Sequence, residues 1–355
     1  MPPLNSADTA WMMLSTALVL LMTPALGFFY GGLVRAKNVL NTMMMSVISL
    51  GVVGLCWALL GYSIAFAGGN DYLGTLDFSL LRGVGLETGK WGAFPHILFF
   101  AYQGSFAIIA TALVSGAIVE RMRFGAYIAF LALWSLLVYS PVAHWVWGGG
   151  WLAQLGALDF AGGTVVHITA GLASIVAATV VGQRRDYGRH AVLPHDVTYV
   201  LLGAALLWFG WFGFNAGSAL AANATAVVAF VNTMLAPAAT LVVWVMLDMW
   251  RTKKATAVGA ATAIVVGLVA VTPAAGFIAP RGAIILGAIA AVPSYFALQI
   301  RSRTRLDDSL DVFGAHGVGG IVGALLTGVL ATKAWGSPVD GLAYGNPRLL
   351  LLQAA

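Results

Sequence analysis

The chain has 355 residues, of which 60% are hydrophobic and 9% charged, and its mean hydropathy is +0.89. An ordinary soluble domain is roughly 25% charged, so this composition excludes a water-solvated globular fold. The net charge of +5 forms no basic stripe and sits in short breaks between apolar runs, which gives no reason to expect a nucleic-acid partner.

Runs of about 20 apolar residues predict helices near 10–31, 43–67, 96–119, 125–146, 163–182, 197–215, 224–248, 256–273, 280–299 and 313–332. The first run has no Lys or Arg before it and exceeds a signal-peptide core of roughly 7–15 residues, so it reads as a mature span. No linker interrupts the series, and residues 1–355 form one polytopic, all-α membrane domain. After the tenth span, Leu349 to Leu352 begin an apolar stretch that reads as the start of an eleventh helix, cut off with its tail at Ala355.

The breaks after odd-numbered helices hold Arg35 and Lys37, Arg121 and Arg123, Arg184, Arg185 and Arg189, Arg251, Lys253 and Lys254, and Arg301, Arg303 and Arg305. These are 13 of the 18 basic residues, which places that side in the cytoplasm and the N-terminus outside a cell (inner) membrane. The 43 glycines lie inside the apolar runs, as in closely packed membrane helices. Cys56 stands alone, which excludes an internal disulfide, and no Cys/His spacing suits a metal, so neither a metal nor a cofactor is expected.

Helices five and ten echo one another. His-x-x-x-Gly occurs as His167 with Gly171 and as His316 with Gly320, with small residues following at Ser174 and Gly323, then at Ala178 and Thr327. Five helices separate the histidines, so the halves, about 10–182 and 197–332, would be inverted repeats with a site between them near the midplane.

Ionisable residues within spans usually face a bundle interior or a pathway. His167 and His316 can be neutral side chains bonded to a neighbouring helix, or can pass one hydrogen bond between them and line a path for a small polar molecule. Trp147, before Gly148-Gly149-Gly150, and Trp211, Phe212 and Phe214, within Gly210 to Ser218, fit an interfacial aromatic belt. A Trp face with a hydroxyl such as Ser218 can also hold a small cation. Asp159 suits a helix N-cap and equally a carboxylate that favours a cation in a vestibule. Gly317 to Gly323 lacks dinucleotide spacing and a preceding strand, so it is helix packing.

The stretches Gly27-Phe-Phe-Tyr-Gly-Gly-Leu-Val-Arg-Ala-Lys-Asn38, Gln103-Gly-Ser-Phe106, Val146-Trp-Gly-Gly-Gly150, Leu158 to His167, Gly210 to Ser218, Val271-Thr-Pro-Ala274 and Asp311 to His316 together resemble the ammonium transporter/Rhesus family over nearly the whole chain. The resemblance implies an ammonium recruitment site of Trp147 and Ser218 with Phe106 beside it, and Asp159 in support. It also implies a phenyl gate of Phe106 and Phe214, paired pore histidines His167 and His316 flanked by Trp211, and a homotrimer with one pore per subunit. Trp147 with Ser218 favours the ammonium-transporter branch over the Rhesus branch.

On this reading ammonium binds outside, loses its proton near the gate and crosses as ammonia, while potassium, with no proton to give up, is excluded. A cation at the membrane centre costs at least about 2.5 kcal/mol, which is why deprotonation helps. Two rivals remain: an ammonium-sensing domain fused to a signalling module, and a neutral gas channel of the Rhesus type. A membrane enzyme is disfavoured because no nucleophile and base pair within the spans. Besides ammonium and the bilayer, a cytoplasmic regulator is a candidate partner.

Overall fold

The computed structural model describes residues 2–189 and 193–355. Nine helical spans are long and apolar enough to cross a membrane among these residues. In chain order they are α1 (Ser6–Leu33), α2 (Ala36–Phe66), α3 (His96–Ile118), α4 (Phe124–Leu155), α5 (Gly163–Val181), α6 (Val197–Ala219), α7 (Ala224–Thr252), α9 (Pro280–Arg301) and α10 (Phe313–Leu330), with the shorter apolar α8 (Ala257–Val271) between α7 and α9. A last helix, α11 (Pro347–Ala354), follows α10 and packs on it.

The helix ends have local causes. α1 begins at Ser6, four residues before the sequence expectation, because the Asn5 side chain accepts from the backbone N–H groups of Ala7 and Asp8. Asp196 caps α6, and Asn223 caps α7, in the same manner. α8 ends at Val271, two residues early, because Pro273 has no N–H and disfavours helix at the residue before it. α4 runs past 146 only through a sharp turn at Trp147–Gly150, after which Trp151–Leu155 forms a separate helical turn.

α3 is the most enclosed span, with 78% of its central window buried against 28% for α2, and so forms the middle of the bundle. α1 packs along α6 and against α3, and α3 meets α6 where Tyr102 and Phe106 reach Gly213 and Phe214. Glycine makes the approach possible: a Cβ on Gly203 would lie 2.4 Å from the backbone nitrogen of Phe29, and one on Gly213 2.8 Å from the Ser15 carbonyl oxygen. The neighbour pattern of α1–α5 recurs in α6–α10, with α1 on α2 and α3, α2 on α4, and α3 on α5 matched by α6 on α7 and α8, α7 on α9, and α8 on α10.

At the arginine-rich end, four breaks between helices are tied by ion pairs, in which Glu120 and Asp307 are buried and Arg35 and Asp186 are partly exposed. Arg35 pairs with Glu120 and with Asp186 at 2.6 Å, and Arg184 pairs with Asp307 at 2.7 Å and with Glu120 at 3.7 Å. Arg121 donates to the carbonyl oxygens of Ala117, Gly182 and Asp307. Burial alone would raise the Glu120 carboxyl, but the Arg35 guanidinium and the Asn38 amide bonded to it hold it below the usual carboxylate range.

Candidate functional site

The two buried histidines meet. His167 lies in Gly163–Ile168 and His316 in Phe313–Val318, each a π-helical turn at the start of its span. Such wide turns recur at functional positions because they turn side chains out of the regular helix register. The imidazole rings are stacked, with centroids 5.3 Å apart, and the two Nδ1 atoms are 3.2 Å apart. The contacts around them are reciprocal: a Cβ on Gly171 would meet the Gly317 nitrogen at 2.4 Å, and one on Gly320 would meet the Ile168 nitrogen at 3.2 Å. Both glycines stand four residues after a histidine; a Cβ would be excluded by backbone at Gly171 and tight at Gly320.

Aspartates hold both turns. The Asp159 carboxylate accepts from the N–H groups of Gly162, Gly163, Thr164 and Val165 at 2.7–3.1 Å, which satisfies the four free donors of the α5 start. Asp308 accepts from the Phe313 N–H at 2.7 Å and so occupies the same place before α10. Burial pushes the Asp308 carboxyl up to about 6, against the Phe313 N–H bond, and Asp311 raises it further. The Asp159 carboxyl is also raised by burial, with its four N–H donors opposing.

An aromatic column leads to the histidines. The Trp147 ring stands edge-on to Phe106 at 6.1 Å, Phe106 stacks on Phe214 at 4.1 Å, and Phe214 stacks on His167 at 5.9 Å. Trp211 stacks on the same imidazole at 5.4 Å, and its indole N–H donates to the Thr272 hydroxyl at 2.9 Å. The Trp147 indole N–H donates to the Asp159 carbonyl at 2.9 Å. One aspartate thus fixes both the His167 turn, through its carboxylate, and the outermost aromatic ring, through its backbone. Phe212 turns away and stacks on Phe230 at 4.3 Å, so it belongs to the outer surface of α6.

Ser218 sits beside the column, where its hydroxyl donates to the Phe214 carbonyl at 2.8 Å and lies 3.2 Å from the Tyr102 hydroxyl. Tyr102 also reaches the Gly213 and Phe214 carbonyls at 3.0 Å and packs on Phe106. Neither Tyr102 nor Asp308 stands out in the sequence reading. Asp308 was within reach of it, because the spacing of 149 residues that relates His167 to His316 also relates Asp159 to Asp308. Tyr102 gave no signal, since its partners are backbone groups more than a hundred residues away.

Two spaces lie beside the histidines. A small cavity of about 10 Å³ lies against His167, His316, Trp211 and Phe214 with apolar walls from α1, α3, α5, α6 and α8, room for roughly one water-sized molecule. A vestibule of about 620 Å³ opens beyond them and is lined by His316, Tyr30, Asp248, Tyr295, Arg301 and Asp311 among others. His316 borders both. His167 Nε2 is buried without a hydrogen-bond partner from the protein. Among the described residues no cluster of His, Cys, Asp or Glu could hold a metal ion.

Apolar spans of membrane length, packed around an aromatic column that ends on paired buried imidazoles, define a multi-pass helical membrane protein. The family model of the Ammonium Transporter Family matches residues 10–355, and the chain belongs to that family. It is 48% identical over 353 residues to the ammonium transporter of Bacillus subtilis, covering 99% of this chain and 87% of that one. Saccharomyces cerevisiae Mep2 superposes with a TM-score of 0.93 at 38% identity, covering 99% of this chain and 81% of the Mep2 chain. A protein described as Sensor Amt Protein superposes with a TM-score of 0.91 at 29% identity, over 98% of this chain and 87% of that one.

Proposed function

We propose that this chain transports ammonium by recruiting it at Trp147 and Ser218, letting it give its proton to water on the recruitment side before Phe106 and Phe214, and conducting ammonia past His167 and His316. The observation that carries this reading is the unbroken contact series Trp147, Phe106, Phe214, His167 and His316, which ends on the vestibule. Family membership and the name of the B. subtilis relative support ammonium as the substrate.

Each segment has its own chemistry. The Trp147 face with the Ser218 oxygen attracts a small cation, an attraction of about 0.5–2 kcal/mol. Phe106 and Phe214, both buried, offer no acceptor, so a cation passing them would lose its hydration without replacement. Ammonia can pass, and it finds in the histidine pair a group that accepts and a group that donates. Asp159 acts from behind, by holding the α5 turn and Trp147, without touching substrate.

The same reading makes the molecule a ten-span domain of two inverted repeats, about 10–182 and 197–332, with the start of an eleventh helix at α11, inserted with the N-terminus outside a cell membrane and assembled as a homotrimer. The recurrent neighbour pattern and the reciprocal Gly171 and Gly320 contacts support the repeat. The thirteen basic residues at one end support the orientation. A sensor role is not favoured: the identity to the sensor structure is 29%, against 48% to a transporter.

The test is uptake of labelled methylammonium into vesicles carrying the protein. Uptake that ammonium competes away and potassium does not is the expected outcome. Equal competition by potassium would contradict the reading.

A further inference from the structure

His144 lies in α4 one turn before Trp147 and is 2% exposed. Its Nδ1 is 3.0 Å from the carbonyl oxygen of Ala65, at the end of α2, and its Nε2 is 2.8 Å from the carbonyl oxygen of Asn70, in the loop beyond. A backbone carbonyl can only accept, so each contact requires an N–H, and a neutral imidazole has one. Rotating the ring by half a turn would exchange both nitrogens for carbons and lose both bonds.

We propose that His144 donates from both ring nitrogens, as an imidazolium, and is a positioning residue that locks the Trp147–Gly150 turn and with it the outer aromatic site. The turn is built around this ring. The His144 carbonyl accepts from the N–H groups of Gly148 and Gly150 at 3.0 Å. A Cβ on Gly148 would lie 2.6 Å from His144 Nδ1 and 2.1 Å from the Ala65 oxygen, so only glycine lets the chain pass this close. One residue therefore joins the end of α2, the loop at Asn70 and the turn that carries Trp147. Two charge-assisted bonds offset the desolvation of the ring, whereas a neutral ring would bury a lone pair against a carbonyl oxygen. Asp71, next to Asn70, binds the same turn from outside: its backbone oxygen accepts from the Trp151 N–H at 3.0 Å and its carboxylate from the Gln154 amide at 3.0 Å.

The positioning half rests on the outer-site reading above; the protonation half does not. The first experiment is ¹⁵N solid-state NMR of the full chain, labelled at histidine and reconstituted in bilayers at pH 7.5, with the His144 signals assigned by their loss in His144→Gln. Two protonated ring nitrogens are expected, and one nitrogen at the position of an unprotonated ring overturns the imidazolium. The second is the KM and Vmax of methylammonium uptake for His144→Gln, Trp147→Ala and the double variant. His144→Gln is expected to raise KM about tenfold with Vmax within twofold, and the double variant to be no worse than Trp147→Ala alone. An unchanged KM in His144→Gln, or fully additive effects in the double variant, overturns the positioning role. An unchanged KM in Trp147→Ala overturns the outer-site reading and the positioning role together, while the spectrum still decides the protonation.

Discussion

The Nδ1 atoms of His167 and His316 lie within hydrogen-bond reach of one another, at 3.2 Å. Whichever ring donates, the other accepts, and the pair then presents a donor Nε2 at one end and an acceptor Nε2 at the other. Replacing either ring by alanine breaks this alternation and enlarges a space that now fits about one water-sized molecule. His167→Ala and His316→Ala are expected to keep ammonium flux within about an order of magnitude while admitting potassium, measured as a potassium-driven current in reconstituted vesicles. Unchanged selectivity in folded variants would remove the histidines from the path.

Trp147→Ala and Ser218→Ala weaken the outer site without touching the constriction. A lost cation-π contact of about 0.5–2 kcal/mol corresponds to a rise in KM of roughly two- to thirtyfold, with Vmax little changed. Concentration-dependent uptake of methylammonium separates the two parameters, and a fall in Vmax at constant KM would contradict recruitment at this site.

Asp159→Asn leaves one oxygen where two now serve four N–H donors, and it aims an amide NH₂ at two of them. Unsatisfied buried donors cost roughly 1–3 kcal/mol each. Thermal unfolding in detergent is expected to show a destabilisation of about 2–5 kcal/mol, with transport reduced in the surviving folded protein. A variant as stable as the parent would mean that the α5 turn does not depend on this carboxylate.

The glycines beside the histidines make a graded pair. A Cβ on Gly171 meets backbone at 2.4 Å, while one on Gly320 meets its nearest neighbours at 3.0 Å. Overpacking of this kind costs roughly 1–3 kcal/mol, so Gly171→Ala is expected to lose more stability and more transport than Gly320→Ala. The reverse order would show that these contacts do not set how closely the two turns pack.

Two carboxyls at the arginine-rich end have opposite pH signs. Glu120 is held below the ordinary carboxylate range, so its pairing with Arg35 stabilises the fold above the unfolded value of about 4.3 and is lost as pH falls through the lower folded value. Asp308 is raised to about 6, so the fold loses stability as pH rises from about 4 to beyond 6. Unfolding temperatures at pH 5 and pH 8 are expected to show Asp308→Asn gaining on the parent at pH 8 more than at pH 5, and Glu120→Gln less stable than the parent at both. An Asp308→Asn protein with the pH response of the parent would contradict the first assignment.

Much of this was legible in the sequence because membrane helices must be long and apolar, and because a charged or polar residue inside one is conspicuous. His167 and His316 stood out for that reason, and their matched glycines anticipated the contacts that bring them together. What was not legible rests on geometry without a local pattern. The π-helical turns carry no composition of their own, and Tyr102 reads as any aromatic in a span until its hydroxyl is seen on the Gly213 and Phe214 carbonyls. His144 carries no pattern in the sequence that singles it out, and only the placement of the Ala65 and Asn70 carbonyls on either side of the ring gives it a role. The early stop of α8 was signalled by Pro273, but the apolar run continues to it and the run length prevailed.

The most direct test of ammonium conduction past paired histidines is the internal pH of proteoliposomes given an ammonium pulse, with protein-free vesicles as control, and the potassium-driven current of the parent and the His167→Ala/His316→Ala protein alongside. Saturable internal alkalinisation by the parent beyond that of protein-free vesicles, with a potassium current in the variant and none in the parent, is the result predicted here. A parent that answers both ions alike, or a folded variant that keeps the parent's discrimination, would contradict it.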